Sequence, residues 1–414
     1  MDEQAPAADP SSDLDGPAAW RRLIASVLLA TIGGVGIWSS VVVLPAIETE
    51  FGLDRGGASL PYFATMIGIA TGGTLIGRMT DRFGMMPLMI MGGIMLAGGY
   101  LLSAQAATYW QFVLIQAVMI GLLGSSVSFG PLVADISLWF KRRRGIAVAL
   151  VASGNYLAGA VWPPVIEHLI DTVGWRQAHM TIGVICLVTM LPLSYSLRRR
   201  APVFGDGTRV DRAPSAPAGE VGLSPRSLQV LLVLAGMACC IAMSMPQVHI
   251  VAYCLELGYG MARGAEMLSL MLALGIVSRL VSGWIADHIG GLRTLILGSV
   301  LQCLALLFYL PFDGLVSLYL VSALFGLSQG GIVPSYALIV RDYFPASEAG
   351  ARVSLVLMAT VVGMALGGWM SGEIFDFTGS YRAAFLNGIA WNLLNMSIAF
   401  WLLLGPRFLR LRAS

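Results

Sequence analysis

The chain has 414 residues, 57% of them hydrophobic and 12% charged, with a formal net charge of +2. Soluble globular domains carry about 25% charged residues, so this composition excludes a water-soluble surface, and a nearly neutral total gives no basis for nucleic-acid binding. The 49 glycines suit close helix packing inside a bilayer. The five cysteines, Cys186, Cys239, Cys240, Cys254 and Cys303, lie in or beside apolar stretches and form no metal-ligand spacing, so they read as buried small hydrophobes.

Taken in chain order, residues 1–20 are acidic and rich in Ala, Pro and Asp. They lack the basic start and apolar core of a signal peptide and predict a disordered cytoplasmic tail. The pair Arg21-Arg22 opens the first span. A membrane-crossing helix needs about 20 mostly apolar residues. Stretches at about 22–46, 58–78, 87–105, 109–136, 146–171, 176–197, 227–255, 263–286, 293–311, 315–340, 351–375 and 381–404 meet that requirement. Pro131, Pro163-Pro164, Pro246 and Pro334 fall inside them and are tolerated where neighbouring helices re-satisfy the backbone. The longest hydrophilic interruption, 198–226, begins with Arg198-Arg199-Arg200 and continues in Pro, Gly and Ser; it reads as a cytoplasmic linker between a bundle at 21–197 and a second at 227–404. Residues 405–414 form a second short cytoplasmic tail.

Orientation follows from the basic residues. With both termini inside, twenty of the 25 Lys and Arg fall in cytoplasmic segments, whereas Arg55, Arg176, Arg263 and Arg382 lie outside and Arg279 lies within a span. An inner (plasma) membrane location with cytoplasmic termini is therefore expected.

The two bundles repeat one another. Gly77, Asp81 and Gly84 recur as Gly283, Asp287 and Gly290. Gly121, Leu122, Gly145, Val148, Asp171 and Gly174 recur at a constant offset as Gly326, Leu327, Gly350, Val353, Asp376 and Gly379. Parallel halves related by an axis along the membrane normal are a known transporter plan. The expected fold is thus an all-α membrane protein, with twelve transmembrane helices in two pseudo-symmetric six-helix bundles.

The run Gly77-Arg78-Met79-Thr80-Asp81-Arg82-Phe83-Gly84 resembles the loop between helices 2 and 3 of the major facilitator superfamily. The resemblance covers all twelve helices and implies a gating role for Gly77, Asp81, Arg82 and Gly84, echoed by Gly283, Asp287 and Gly290. The motif is abbreviated here by Met85-Met86, and His288 replaces Arg82 in the second copy. Phe140-Lys141-Arg142-Arg143-Arg144 with Ala147, Gly154 and Gly159 looks like the helix 4–5 region of the monocarboxylate transporter family. Asp376-Phe377-Thr378-Gly379-Ser380-Tyr381 with Phe385 is similar to its helix 11–12 connection, and Arg279 matches its substrate-facing arginine. Oxalate/formate exchangers share several of these features. Gly275 stands where the family carries an acid one turn before the arginine, and no lysine lies in helix 1, where the sequence is Gly36-Ile37-Trp38-Ser39. These departures fit a bacterial-type relative.

Arg279 is the central candidate. An arginine inside a span costs about 2.5–3.5 kcal/mol even on lenient scales, so it must face the bundle interior. Its planar guanidinium suits bidentate recognition of a carboxylate, and Asp135, Glu167, Asp171, Glu256, Glu373 and Asp376 all fall near span ends rather than at its depth. His249 is the candidate for proton exchange; His168 and His179 flank an outer loop. Trp38, Ser125, Asn155, Gln329 and Tyr336 are further substrate-binding candidates, with Gln329 and Tyr336 on one face of helix 10; helix-to-helix bonding is the competing role for each.

There is no P-loop, no metal cluster and no cofactor motif, and nothing resembles an enzyme. The resulting expectation is a monomeric alternating-access carrier in the lipid bilayer. Its substrate is a small organic anion, of the lactate or pyruvate type, symported with protons as the family resemblance implies. An oxalate/formate-type exchanger, a drug exporter and a non-transporting nutrient receptor are the alternatives.

Overall fold

A chain in hydrocarbon must satisfy its backbone polar groups within each segment, which leaves helices for sequences as apolar as these. The computed structural model describes residues 14–199 and 223–412, apart from the side chains of residues 74, 81, 346, 347 and 405–412. Most of the expected first tail and linker lies outside the described residues, as do the end of the second tail and the Asp81 side chain. Among the described residues 12 helices are long and apolar enough to cross a membrane. They are α1 (Pro17–Val42), α2 (Arg55–Thr80), α3 (Met85–Ser103), α4 (Tyr109–Ile136), α5 (Arg144–Val173), α6 (Trp175–Tyr195), α7 (Pro225–Glu256), α8 (Met261–Ile289), α9 (Gly291–Phe308), α10 (Leu315–Tyr343), α11 (Glu348–Thr378) and α12 (Tyr381–Leu404). The first six and the last six form the two bundles, and every predicted span has its helix. α8 runs to Ile289 rather than 286, so Arg279 lies about 15 Å from that end at the helical rise of 1.5 Å per residue.

The odd-numbered helices start at the face that carries the N-terminus, called here the terminal face; the even-numbered ones start at the opposite face. At the terminal face the turns after α2 and α8 fall on Gly84 (φ 85°) and Gly290 (φ 84°), a left-handed conformation that favours glycine. A side chain built at Gly77 or Gly283, the other two glycines of the repeated motif, would meet nothing within 4 Å.

At the opposite face the bundles are sealed along α2 and α11, which run antiparallel. The Asp376 carboxylate accepts from the Arg55 and Gly56 amides at 2.9 and 2.5 Å. Farther in, Phe63 packs on Trp369 with ring centroids 6.0 Å apart, and Tyr62 lies against Gly368. One turn deeper still, Met66 and Ile69 of α2 and Thr360, Val361 and Met364 of α11 no longer interlock but line a cavity.

Two long-range ties order the terminal face. Arg22 holds Asp135 through two bonds of 2.7 and 2.8 Å while stacking 4.7 Å from the Trp139 ring centroid. From the sequence Asp135 is placed only near a span end. The Asp15 carboxylate accepts from the backbone amides of Lys141, Arg142 and Arg143 at 3.2, 3.0 and 3.3 Å. The Arg142 amide leads in holding that carboxyl below its ordinary range, with the Lys141 and Arg143 amides and the Arg142 charge adding to it against burial. A depressed value means the clasp is intact at neutral pH and is lost only as pH falls through it. Asp15→Ala is expected to speed hydrogen exchange of the three amides at least severalfold at pH 7, read by mass spectrometry on peptides covering 139–145.

Candidate functional site

The cavity lies between the bundles, on the terminal-face side of the α2–α11 seal, and encloses about 160 Å³. Its walls are mostly apolar, with a few convergent polar groups from α1, α4, α5, α7, α8 and α11, the usual make-up of a small-molecule site.

Irregular helices put those polar groups there. α4 departs from α-helical geometry into a π-helical stretch over Gln116–Gly124 and a 3-10 turn over Ser125–Ser128. Such interruptions are frequent at functional sites, and this one aims Ser125 and Ser128 at the cavity. α5 is broken at Ser153, between Arg144–Ala152 and Gly154–Val173. α10 is broken at Gly330-Gly331, between Leu315–Gln329 and Ile332–Tyr343.

Arg279 joins the last two breaks. Its Nη1 donates to the Ala152 carbonyl at 2.6 Å, across the interface of the bundles, and its Nε reaches the Gly330 carbonyl at 3.4 Å. The Gly330 carbonyl has no helical partner, because the residue four positions on is Pro334, which lacks an N–H. The guanidinium lies 4.4 Å from the centroid of the Tyr156 ring, an aromatic face that favours a cation. Of the five N–H donors of an arginine, two are so engaged. Among the described residues Arg279 makes no ion pair, and no acid lines the cavity.

Trp38, Ser125 and Asn155 share the cavity with Arg279. The Trp38 Nε1 donates to the Asn155 carbonyl at 3.2 Å, and the Ser125 hydroxyl donates to the Gly33 carbonyl at 2.9 Å. The Asn155 Oδ1 is buried and has no hydrogen-bond partner.

Three sequence candidates are placed elsewhere. His249 is fully buried behind the seal. Its Nε2 bonds the Gly368 carbonyl at 2.7 Å and its Nδ1 the Tyr381 hydroxyl at 3.2 Å, so both ring nitrogens are spent within the C-terminal bundle. Tyr336 donates to Asn395 Oδ1 at 2.7 Å, and Asn395 in turn donates to Ser299 at 2.8 Å, which makes the tyrosine part of a bond between α10, α12 and α9. Gln329 is fully buried, and its Oε1 accepts from Gln247 Nε2; Gln247, not Gln329, borders the cavity.

Sequence reasoning missed Tyr156 and Gln247. The signal for Tyr156 was its place beside Asn155 in a glycine-rich span; for Gln247 it was an amide two residues before the histidine that drew the attention.

A family model described as Major Facilitator Superfamily matches residues 26–325 and 267–413. The MFS-type transporter pynF of Aspergillus niger is 27% identical over 322 residues, 77% of this chain and 71% of that protein. Monocarboxylate transporter 13 of Bos taurus is 27% identical over 351 residues, 82% and 79% of the two chains. Among solved structures, a bacterial homologue of the human lysosomal transporter Spinster, in an inward-facing and unoccupied conformation, superposes with a TM-score of 0.69 at 13% identity, covering 94% of this chain and 97% of that one. With its twelve helices in two bundles and a family match that runs through both, this chain belongs to the Major Facilitator Superfamily.

Proposed function

We propose that the protein is a secondary carrier for small organic anions of the monocarboxylate type, working by alternating access as a monomer. The observation that carries this reading is Arg279, a permanent cation in the cavity between the bundles, with donors left over and no acid beside it among the described residues. A carboxylate supplies the missing charge and accepts from the free edge of the guanidinium. Asn155 Oδ1, buried without a donor, suits the hydroxyl of a 2-hydroxy acid. Trp38, Tyr156 and Gln247 stand beside Arg279 and Asn155 in an otherwise mostly apolar wall. Similarity to a monocarboxylate transporter supports the substrate class.

The terminal face is read as cytoplasmic, from the excess of arginines in its loops. The repeated motif around Gly77, Asp81, Arg82, Gly84, Gly283, Asp287 and Gly290 is then the set of contacts made when that face closes. Proton coupling is assigned to the substrate rather than to His249, whose two nitrogens are engaged away from the cavity. The carboxylate neutralises the cavity when it binds Arg279, and the accompanying proton joins the substrate–arginine complex rather than His249. A second reading, dicarboxylate exchange of the oxalate type, calls for a second cation, and among the described residues Arg279 is the one arginine bordering the cavity.

Labelled lactate, pyruvate, oxalate and formate, offered to proteoliposomes with and without an inward proton gradient, test the proposal. Lactate or pyruvate uptake several times faster with the gradient is expected. Uptake only into vesicles loaded with counter-anion replaces symport by exchange, and no uptake of any of the four overturns the substrate class.

A further inference from the structure

A second cavity, of about 250 Å³, opens at the terminal face, away from the path between the bundles. The first turn of α1, the end of α4 and the end of α6 enclose it. Arg21, Arg22, Arg198 and Arg199 line it with Tyr195 and Ser196, and among the described residues lining it none is acidic. Its floor is fixed. Arg22 is 4% exposed, held by Asp135, and donates through Nη1 to the Arg199 carbonyl at 3.0 Å. Its rim is open, since Arg21 and Arg198 are both exposed. Arg198 is poised by Tyr195, whose ring centroid lies 4.5 Å from the guanidinium carbon and whose hydroxyl accepts from it. Arg22's charge is met by Asp135; at the rim those of Arg21 and Arg198 are met by no carboxylate among the described residues.

The depth of this cavity identifies its ligand. Pro17 begins the apolar run of α1 and Tyr195 ends that of α6, so the arginines sit where hydrocarbon gives way to headgroups. Tyr195 is exposed at the cavity, as aromatic side chains are at a membrane interface, and Trp139 stacks on Arg22 in its wall. Guanidinium groups converging there match a phosphate, whose oxygens accept from two arginines at once.

We propose that this cavity is a phosphate-binding site of the headgroup layer on the terminal face, taking an anionic phospholipid such as phosphatidylglycerol. The headgroup ties the start of α1 to the end of α6. α1 also carries Trp38 into the transport cavity, so the lipid steadies a helix of the substrate site while touching no part of it. The proposal does not depend on what is transported.

The test uses the full chain in neutral detergent, titrated with short-chain phosphatidylglycerol or phosphatidylcholine, with bound lipid counted by native mass spectrometry and stability followed by thermal unfolding. The unaltered chain is expected to prefer phosphatidylglycerol. The double variant Arg21→Ala/Arg198→Ala, which leaves the Arg22–Asp135 pair intact, is expected to weaken that binding about thirtyfold, at the scale of two basic contacts to an anionic surface. Arg21→Lys/Arg198→Lys should retain most of it, which separates lost charge from a lost fold. Equal binding of the two lipids by the unaltered chain, or an undiminished preference in the alanine variant, overturns the proposal. Glycerol 3-phosphate and inorganic phosphate form the remaining arm. If neither competes at millimolar concentration, the site belongs to lipid; if either displaces phosphatidylglycerol fully, the phosphate site stands but its ligand is soluble.

Discussion

Arg279→Ala is expected to lower kcat/KM for carboxylate uptake at least about 150-fold, since a hydrogen bond to a charged group contributes about 1.5–3 kcal/mol and the fork offers two. Arg279→Lys keeps the charge but offers a point rather than a plane, so a loss of about tenfold is expected, at the lower end of one such bond. The substitution also removes the donors that Arg279 gives to the Ala152 and Gly330 carbonyls. Neither carbonyl belongs to a residue that lines the cavity, so a monodisperse profile with near-normal thermal unfolding is needed to show that the fold survives their loss of a donor. The diagnostic comparison is between an acid and its amide. Lactate should compete for uptake in the unaltered chain where lactamide does not, and in Arg279→Ala the difference between them should vanish. Unchanged carboxylate uptake by the alanine variant would remove the arginine from the site, and with it the argument for an anion.

How much of this was legible in the sequence depended on whether a residue's neighbours were local. The spans were, because an apolar run of some twenty residues is its own evidence. So was Arg279, since a charge far inside such a run has few physical explanations. The direction a side chain takes within a bundle was not. α7 is buried nearly continuously from Ala235 to Cys254, so no periodicity distinguishes the cavity-facing Gln247 from His249, which faces the seal. Tyr336 was placed on the correct helix, but its partner Asn395 lies 59 residues away. Arg22 and Asp135, 113 residues apart, gave no sign of pairing. Arg55 was counted as a loop charge, yet its side chain is only 11% exposed, because α2 begins against the other bundle. Each of these positions is decided by tertiary contact between distant helices, which neither composition nor spacing records.

Loosening the α2–α11 seal is expected to shift the carrier toward opening at the face opposite the termini, by roughly 30-fold for Asp376→Ala. The carboxylate accepts from two amides of the first turn of α2. Charge-assisted bonds and the positive end of a helix together contribute about 2 kcal/mol at a partly solvated site. Arg55 completes the contact, approaching Glu48 at 3.2 Å and packing over the Phe375 ring. Burial raises the Glu48 carboxyl above its ordinary range, against the opposing pull of Arg55. Raising the pH through that value therefore charges a poorly solvated group, and the contribution of Glu48 to folding stability is expected to fall. Two glycines offer an independent route to a looser seal. A Cβ on Gly56 would come within 2.4 Å of Glu373 Oε1, and one on Gly372 within 2.7 Å of the Arg55 carbonyl oxygen. Gly372→Ala meets backbone and should wedge the bundles apart with no change of charge, whereas Gly56→Ala meets the end of the Glu373 side chain, which can turn aside, and should do so less. Spin labels at Trp110 and Val316, both exposed near the start of an even-numbered helix, report the separation, and the five native cysteines are buried and label slowly. All three variants should add a longer distance, with a lower half-saturating concentration for substrate offered from that face, because the competent state is then more populated. Distance distributions that match the unaltered chain in all three would mean that the two bundles are held together elsewhere.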